Sequence, residues 1–290
     1  MPENTDPKII LITGTSSGFG LLTAARLAAA GHTVIATMRN LNKNVALQEE
    51  VKRRGGSVDL MPLDVINPES IKTTIKDIGA KYGYIDVLIN NAGYGLGGFF
   101  EDLSEGEIRQ QFETNFFGVQ NVTRAVIPLM RARRSGKIIN ISSIAGFSTS
   151  PAFGAYNASK WALEAFSESL RYELGFFGID VLLIEPGTYK TKIFYENAKY
   201  AQNFHNETSP YYPISRHLEK KVREFVDDCF KDPEEVAILA EKLIRTKNPG
   251  FRNIPDIESR VMFFLRKVLP FRTYSFIIRK ALFQGLKDLP

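Results

Sequence analysis

Soft metal-ligand chemistry is almost missing from this chain: Cys229 is its only cysteine, and three histidines, His32, His205 and His217, are scattered over 290 residues. No intrachain disulfide can form, and no Cys/His cluster with zinc-site spacing can be assembled. Long apolar runs are missing too, since none approaches the roughly 18 residues that a membrane-spanning helix needs. The opening residues, MPENTDPKIILIT, carry acids where a secretory signal needs bases, so a cytoplasmic protein is expected. An excess of charge of one sign is missing over the body. The formal net charge is +5, and residues 256–290 hold seven Lys/Arg against three Asp/Glu, a surplus of four that accounts for most of it. A nearly neutral body argues against a nucleic-acid surface. With 44% hydrophobic and 24% charged residues, neither disorder nor a fibrous class is favoured, and a chain of this length buries a large core as one domain.

What the sequence does have is a regular alternation. Short β-branched or apolar runs recur at IILIT (9–13), TVIAT (33–37), SVDLMPLD (57–64), DVLIN (86–90), KIINIS (137–142) and DVLLIEP (180–186). Runs of this length read as parallel strands buried on both faces. Between them the apolar residues take helical spacing, as in Ile71, Ile75 and Ile78, or Ile108, Phe112, Asn115 and Phe116. The alternation predicts an α/β fold, a doubly wound Rossmann-type parallel sheet whose ligands bind beyond the carboxyl ends of its strands.

After Gly187 the regularity fails, and residues 188–232 read as a long loop that would act as a substrate lid. A helix is predicted to resume at Asp232, with Pro233 at N1 and two glutamates in its first turn. FRNIP (251–255) is a plausible edge strand, which closes a catalytic domain at 8–255. In the basic extension, 256–290, Val261, Phe264, Leu265 and Val268 follow helical spacing, as do Tyr274, Ile277, Ile278 and Ala281. Two short amphipathic helices separated by Pro270 are predicted. Their apolar faces either dock on the body near the lid or make peripheral contact with an anionic membrane, and docking explains the stripes without a membrane.

Two motifs carry chemistry on their own residues. In TGTSSGFG (13–20), directly after the first strand, Gly14 permits a tight turn, Gly18 lets backbone approach a pyrophosphate, and Gly20 lets helix pack on strand. The amides and dipole of the following helix would face an anion, so a nucleotide site is expected there. In YNASK, Tyr156 and Lys160 stand four apart, and on a helix they project to one face. A phenol beside a cation is a poised acid whose ionisation is expected to move down toward neutral pH.

With these motifs in place, the chain resembles the classical short-chain dehydrogenases/reductases: TGTSSGFG, NNAG (90–93), Asn115, ISS (141–143), YNASK and Pro186-Gly187 occur in that family's order over about residues 8–255. VIATMRN (34–40), NAGYGLGGFFE (91–101) and EPGTYKTKIF (185–194) look most like the hydroxysteroid and retinol dehydrogenase branch. The resemblance implies Tyr156 as general acid/base and Lys160 as the ammonium that tunes it and bonds the nicotinamide ribose. It implies Ser143 as the holder of the substrate oxygen, and Asn115 as a water-mediated partner of Lys160. Ser142, next to Ser143, should point to the other face of the strand. The resemblance also implies a cofactor lying against Gly14, Ser16, Ser17, Gly18, Phe19 and Gly20, and against Asp64 and Val65 at the adenine. Asn91, Ala92 and Gly93, then Pro186, Gly187, Thr188 and Thr191, would complete its site. A homodimer through the helices that contain Asn115 and Tyr156 is likewise implied.

The residue ending strand two chooses between cofactors, because a carboxylate there accepts both ribose hydroxyls of NAD and repels a 2′-phosphate. Here it is Met38, followed by Arg39, and Ser16 or Ser17 offers a further hydroxyl, so NADP(H) is expected. Tyr94, Leu96, Phe147 and Phe153, with Phe194 and Tyr195 from the lid, would line the substrate mouth. The two fixed loops hold no Lys or Arg, which favours a small lipophilic carbonyl or secondary alcohol. The competing readings are a reductase of acyl-thioester ketones and a non-catalytic NADP(H)-sensing module; the second would be expected to have lost members of the Ser, Tyr and Lys set.

Overall fold

The computed structural model describes residues 6–191 and 199–286. Its strands are β1 (Ile9–Thr13), β2 (Thr33–Met38), β3 (Val58–Pro62), β4 (Val87–Asn90), β5 (Leu96–Gly97), β6 (Gly136–Ile141), β7 (Ile179–Ile184), β8 (Lys199–Tyr200) and β9 (Arg252–Asn253). All but β5 and β8 form one parallel sheet in the order β3-β2-β1-β4-β6-β7-β9, while β5 and β8 pair with each other. The helices are α1 (Gly18–Ala29), α2 (Val45–Arg53), α3 (Pro68–Tyr82), α4 (Glu105–Phe112), α5 (Gly118–Ala132), α6 (Gly154–Gly175), α7 (Tyr212–Asp227), α8 (Glu234–Arg245), α9 (Ile257–Val268) and α10 (Phe271–Phe283).

The strands are apolar on both faces because helices cover both. On β1, Ile10 and Ile12 join one core with Leu27 of α1 and Val236 and Leu243 of α8, whereas Leu11 joins the other with Ile71 and Ile75 of α3 and Val126 of α5. Successive side chains of a strand point to opposite faces, so an unbroken apolar run feeds two cores at once. Strand order reverses between β1 and β4, and the crevice at that switch point lies above the carboxyl ends. A buried polar chain sets the depth of α6 on the sheet. Asn90 donates to Thr123 and Asn140, each at 2.9 Å, and Asn140 donates to Ser167 of α6 at 2.8 Å. Buried amides stabilise only when bonded, so these contacts fix one register for the helix.

The described part of 188–232 is not the wholly irregular lid expected from the sequence. It contains the 16-residue α7, with Pro213 in its first turn. The helix was hidden because two of its buried positions are polar: Ser215, and Glu219, whose carboxylate pairs with Arg216 and Arg223 at 2.5 and 2.7 Å. The next helix starts slightly later than predicted, with Asp232 Oδ1 accepting the Glu234 amide at 2.9 Å.

The extension forms α9 and α10 about Pro270, as predicted, but of the expected stripes it docks through Tyr274, joined by residues outside them. Phe263 meets Phe147 edge to face at 5.0 Å, the Tyr274 hydroxyl bonds Ser148, and His217 of α7 contacts the Leu282 carbonyl at 3.1 Å. Of the predicted stripes, Val261, Phe264, Val268 and Ile277 are exposed. The boundary at 255/256 is crossed by Asp256, the N-cap of α9. Its carboxylate accepts from Ser259 N (3.0 Å) and Oγ (2.8 Å), from Lys231 Nζ (3.0 Å) and from Gly187 N (3.1 Å). A side chain at Gly187 would collide with Ser259 and Asp256, so this glycine answers to α9 as well as to the cleft. Asp256→Ala removes the cap and one of the two carboxylates that hold the half-buried Lys231, leaving Glu258 as the other, a loss of about 1–2 kcal/mol. Urea unfolding at neutral pH should show the lower midpoint, and an unchanged midpoint would contradict this role.

Candidate active site

The floor of the crevice is two loops locked together. Thr13 at the end of β1 accepts from the Asn91 and Ala92 amides at 3.0 and 3.1 Å, and Asn91 Nδ2 donates to the Thr13 and Gly14 carbonyls at 2.9 Å each. Gly14 has φ 71°, and a Cβ there would stand 2.7 Å from Ala92 Cα. A Cβ at Gly20 would overlap Asn91, so Gly20 serves packing and does not line the cleft. Gly18, at φ 57°, faces open space. Above this floor lies a cleft of about 740 Å³.

One end of the cleft is formed by Ser16, Ser17, Gly18 and Phe19 of the glycine turn, together with Met38 and Arg39 after β2. The structure adds Lys43, which sequence reasoning missed. Asn40 Oδ1 accepts the Asn42 amide at 2.9 Å and starts a short 3₁₀ turn, Leu41–Lys43, that brings this lysine back to the cleft. Among the described residues neither Arg39 nor Lys43 makes an ion pair. Asp64 and Val65 line the same region, and Asp64 Oδ1 also accepts the Ile66 amide at 3.2 Å, capping the turn that follows. Asn91, Ala92 and Gly93 line the middle, as do Pro186, Gly187, Thr188 and Thr191. Tyr189 is a further addition: it is fully buried, packs edge to face on Phe19 at 5.5 Å, and donates to Glu235 at 3.0 Å.

At the other end Ser143, Tyr156 and Lys160 converge. Ser143 follows β6, and its Oγ accepts the Ala145 amide at 3.1 Å. Tyr156 and Lys160 share one face of α6, with Lys160 Nζ 5.9 Å from the centre of the Tyr156 ring. Lys160 donates to the Ile141 carbonyl at 2.9 Å, which pins it to the end of β6. Burial pushes the Tyr156 phenol above its ordinary value, and a hydrogen bond with Ser143 draws it part of the way back. The phenol is therefore not lowered as expected beside Lys160: desolvation, which penalises the phenolate, dominates, and the downward pull comes from Ser143. Burial pulls Lys160 down to about 8, against an upward pull from Glu164.

Glu164, one turn beyond Lys160, belongs to a buried cluster that sequence reasoning missed. Ser142 points away from Ser143, as strand alternation requires, and bonds Glu164. Arg252 of β9 bridges Glu164 and Glu185 at 2.6 and 2.5 Å. Burial and the neighbouring Glu185 push the Glu164 carboxyl up to about 8, against the pull of Ser142 and Arg252. These carboxylates come from the interior of α6 and the end of β7, and only tertiary packing shows that they meet.

Asn115 is buried in a π-turn, Glu113–Phe117, between α4 and α5. Its amide donates to the Tyr94 carbonyl at 2.9 Å and its oxygen accepts the Tyr94 amide at 3.1 Å, so it clamps the loop after β4. Of the expected substrate residues, Tyr94 and Phe153 line the cleft. Leu96 and Phe147 do not; Leu96 is spent on β5 pairing and Phe147 on packing against Phe263. Phe194 and Tyr195 lie outside the described residues. From α7 the cleft is lined by Val222, Phe225 and Val226, and Lys199 lies 4.3 Å from the centre of the Tyr94 ring.

The sheet, its glycine turn and the hydroxyl, phenol and ammonium at its carboxyl edge define a Rossmann-type oxidoreductase fold. The family model for short chain dehydrogenase matches residues 8–201, and the chain belongs to this family. It is similar to an uncharacterized oxidoreductase of Bacillus subtilis, 41% identical over 95% of this chain and 99% of that one. The 3-ketodihydrosphingosine reductase of Bacteroides thetaiotaomicron is 40% identical over 85% of this chain and 87% of its own length. Human retinol dehydrogenase 8 is 34% identical over 90% and 86%. Among solved structures, a short-chain dehydrogenase from Streptomyces avermitilis superposes with a TM-score of 0.79 at 34% identity, covering 98% of this chain and all of that one. A Burkholderia phymatum relative in complex with NAD has a TM-score of 0.78 at 26% identity, over 92% and 95%. Actinorhodin polyketide ketoreductase with NADPH has 0.71 at 27%, over 87% and 97%.

The raised Glu164 carboxyl makes stability depend on pH. Between its ordinary 4.5 and about 8, the folded chain holds a proton that the unfolded chain releases, so this contribution is full below that window and lost as pH rises through it. Melting temperatures measured across pH 5 to 8 should therefore show a downward component that Glu164→Gln removes. An identical slope in both proteins would contradict the assignment.

Proposed function

We propose that this oxidoreductase transfers a hydride between NADP(H) and a lipophilic carbonyl or secondary alcohol. The observation that carries the reading is the convergence of Ser143, Tyr156 and Lys160 at one end of a cleft whose other end presents Arg39 and Lys43. The cradle suits a dinucleotide: a glycine turn with left-handed Gly14 and Gly18 opens onto the start of α1, where backbone amides and the helix dipole favour a pyrophosphate. Arg39 and Lys43 suit a 2′-phosphate, and Met38 offers no carboxylate to repel it. The nicotinamide supplies the hydride when bound.

The chain's own residues manage the oxygen. Ser143 holds it by hydrogen bond, and Tyr156 delivers a proton as negative charge develops there. A phenol raised by burial keeps its proton at neutral pH, which suits it to donation and hence to carbonyl reduction. Lys160, still largely charged below about pH 8, stabilises the phenolate left behind. Presence of the whole set in one cleft argues against a non-catalytic sensing role. Tyr94, Phe153 and Phe225 supply apolar walls, and Lys199 adds one cation for a polar end of the substrate. The names of the sphingoid and retinoid relatives fit a lipophilic substrate. Exposed Phe117, Trp161 and Tyr172 suit the homodimer that the family resemblance implies.

NADPH is expected to bind about tenfold or more tighter than NADH, a preference that Arg39→Asp erases or reverses. Fluorescence titration of both cofactors checks this, and equal affinities in the unmodified protein would sink it. Tyr156→Phe keeps the ring and loses the proton, so turnover of a lipophilic ketone should fall about a thousandfold with NADPH affinity nearly unchanged. Should the variant retain a tenth of its activity, Tyr156 is not the acid.

A further inference from the structure

We propose that α9 and α10 form a face that binds an anionic lipid surface. On α9, Ile257, Val261, Phe264 and Val268 recur at intervals of four, three and four residues, and they are 75%, 51%, 62% and 54% exposed. That is a continuous apolar stripe on the helix side turned away from the body. On α10, Phe271 and Phe276 are 67% and 65% exposed, and a shallow groove joins them and Phe283 to Arg272, Arg279 and Lys280. The stripe is rigidly presented, because the opposite faces of the same helices are held by the Phe263–Phe147, Tyr274–Ser148 and His217–Leu282 contacts.

Charge selects the occupant. Arg260, Lys267, Arg272, Arg279 and Lys280 are all exposed beside the apolar residues, whereas the exposed acid Glu258 is already paired with Lys231 at 2.9 Å. Aromatic and aliphatic side chains flanked by basic ones are what a membrane-surface helix presents to acyl chains and anionic headgroups. A second copy of this chain suits the face poorly, since a two-fold contact sets the same basic residues against themselves. The α10 helix packs on α7, whose Phe225 lines the cleft, so the lipid-facing surface lies one helix away from the substrate mouth. The proposal does not depend on the substrate reading, because binding is read without turnover.

The test is co-sedimentation of the full chain with vesicles of phosphatidylcholine mixed with phosphatidylglycerol, and with vesicles of phosphatidylcholine alone. Sedimentation is expected with the first only, and added salt should release the protein. Phe264→Ser combined with Phe276→Ser should cut the bound fraction about tenfold with the melting temperature retained, as should Arg272→Glu combined with Arg279→Glu. Two outcomes overturn the proposal. One is a chain that stays in the supernatant with both vesicle types; the other is self-association in sedimentation velocity that the phenylalanine pair abolishes while vesicle binding is absent.

Discussion

Two loops have to meet at the carboxyl ends of β1 and β4, and the rest of the site depends on that contact. A Cβ at Gly14 would stand 2.7 Å from Ala92 Cα, and a side chain at Gly20 would overlap Asn91. Thr13 and Asn91 then tie the loops by four hydrogen bonds of 2.9 to 3.1 Å. The consequence is a flat floor at the switch point of the sheet, with the start of α1 on one side and the Tyr94 loop on the other. Asn115 extends the same construction by clamping Tyr94 from the π-turn.

Burial sets the chemistry on this floor. Tyr156, Lys160 and Glu164 follow one another at four-residue spacing on α6, and desolvation is the largest influence on each. It disfavours every charged form, raising the phenol and the carboxyl and lowering the ammonium. Lys160 and Glu164 are thereby brought toward neutral pH from opposite sides. The phenol stays protonated, and the cation that will stabilise its phenolate is anchored by the end of β6, with the Glu164–Arg252–Glu185 cluster one turn further along α6. Ser142 and Ser143 both border the cleft but bond different partners, Ser142 the Glu164 cluster and Ser143 the Tyr156 phenol.

Much of the fold was legible in the sequence because its signals are local. Each strand is an apolar run bounded by turns, and TGTSSGFG and YNASK each state their geometry within one segment. Helix α7 was not legible, since Ser215 and Glu219 break its apolar stripe and the ion pairs that make Glu219 tolerable are visible only in three dimensions. Phe147 was misassigned for a similar reason: its neighbour Phe263 comes from the extension. The extension itself was correctly divided at Pro270, yet its apolar residues cover more than one face, and packing selected Phe263 and Tyr274 for the body. Lys43 and the Glu164 cluster needed the turn after Asn40 and the arrival of β9 beside β7.

The central claim is that this cleft passes hydride from NADPH to a lipophilic carbonyl while Tyr156 protonates its oxygen. Isotope transfer tests it most directly. The protein is incubated with NADPH deuterated at C4 and a panel of steroid, retinoid and long-chain ketones or aldehydes, and the alcohols are read by mass spectrometry. The account predicts deuterium at the carbinol carbon of at least one lipophilic product. NADPH binding with no deuterated alcohol from any member of the panel would contradict it.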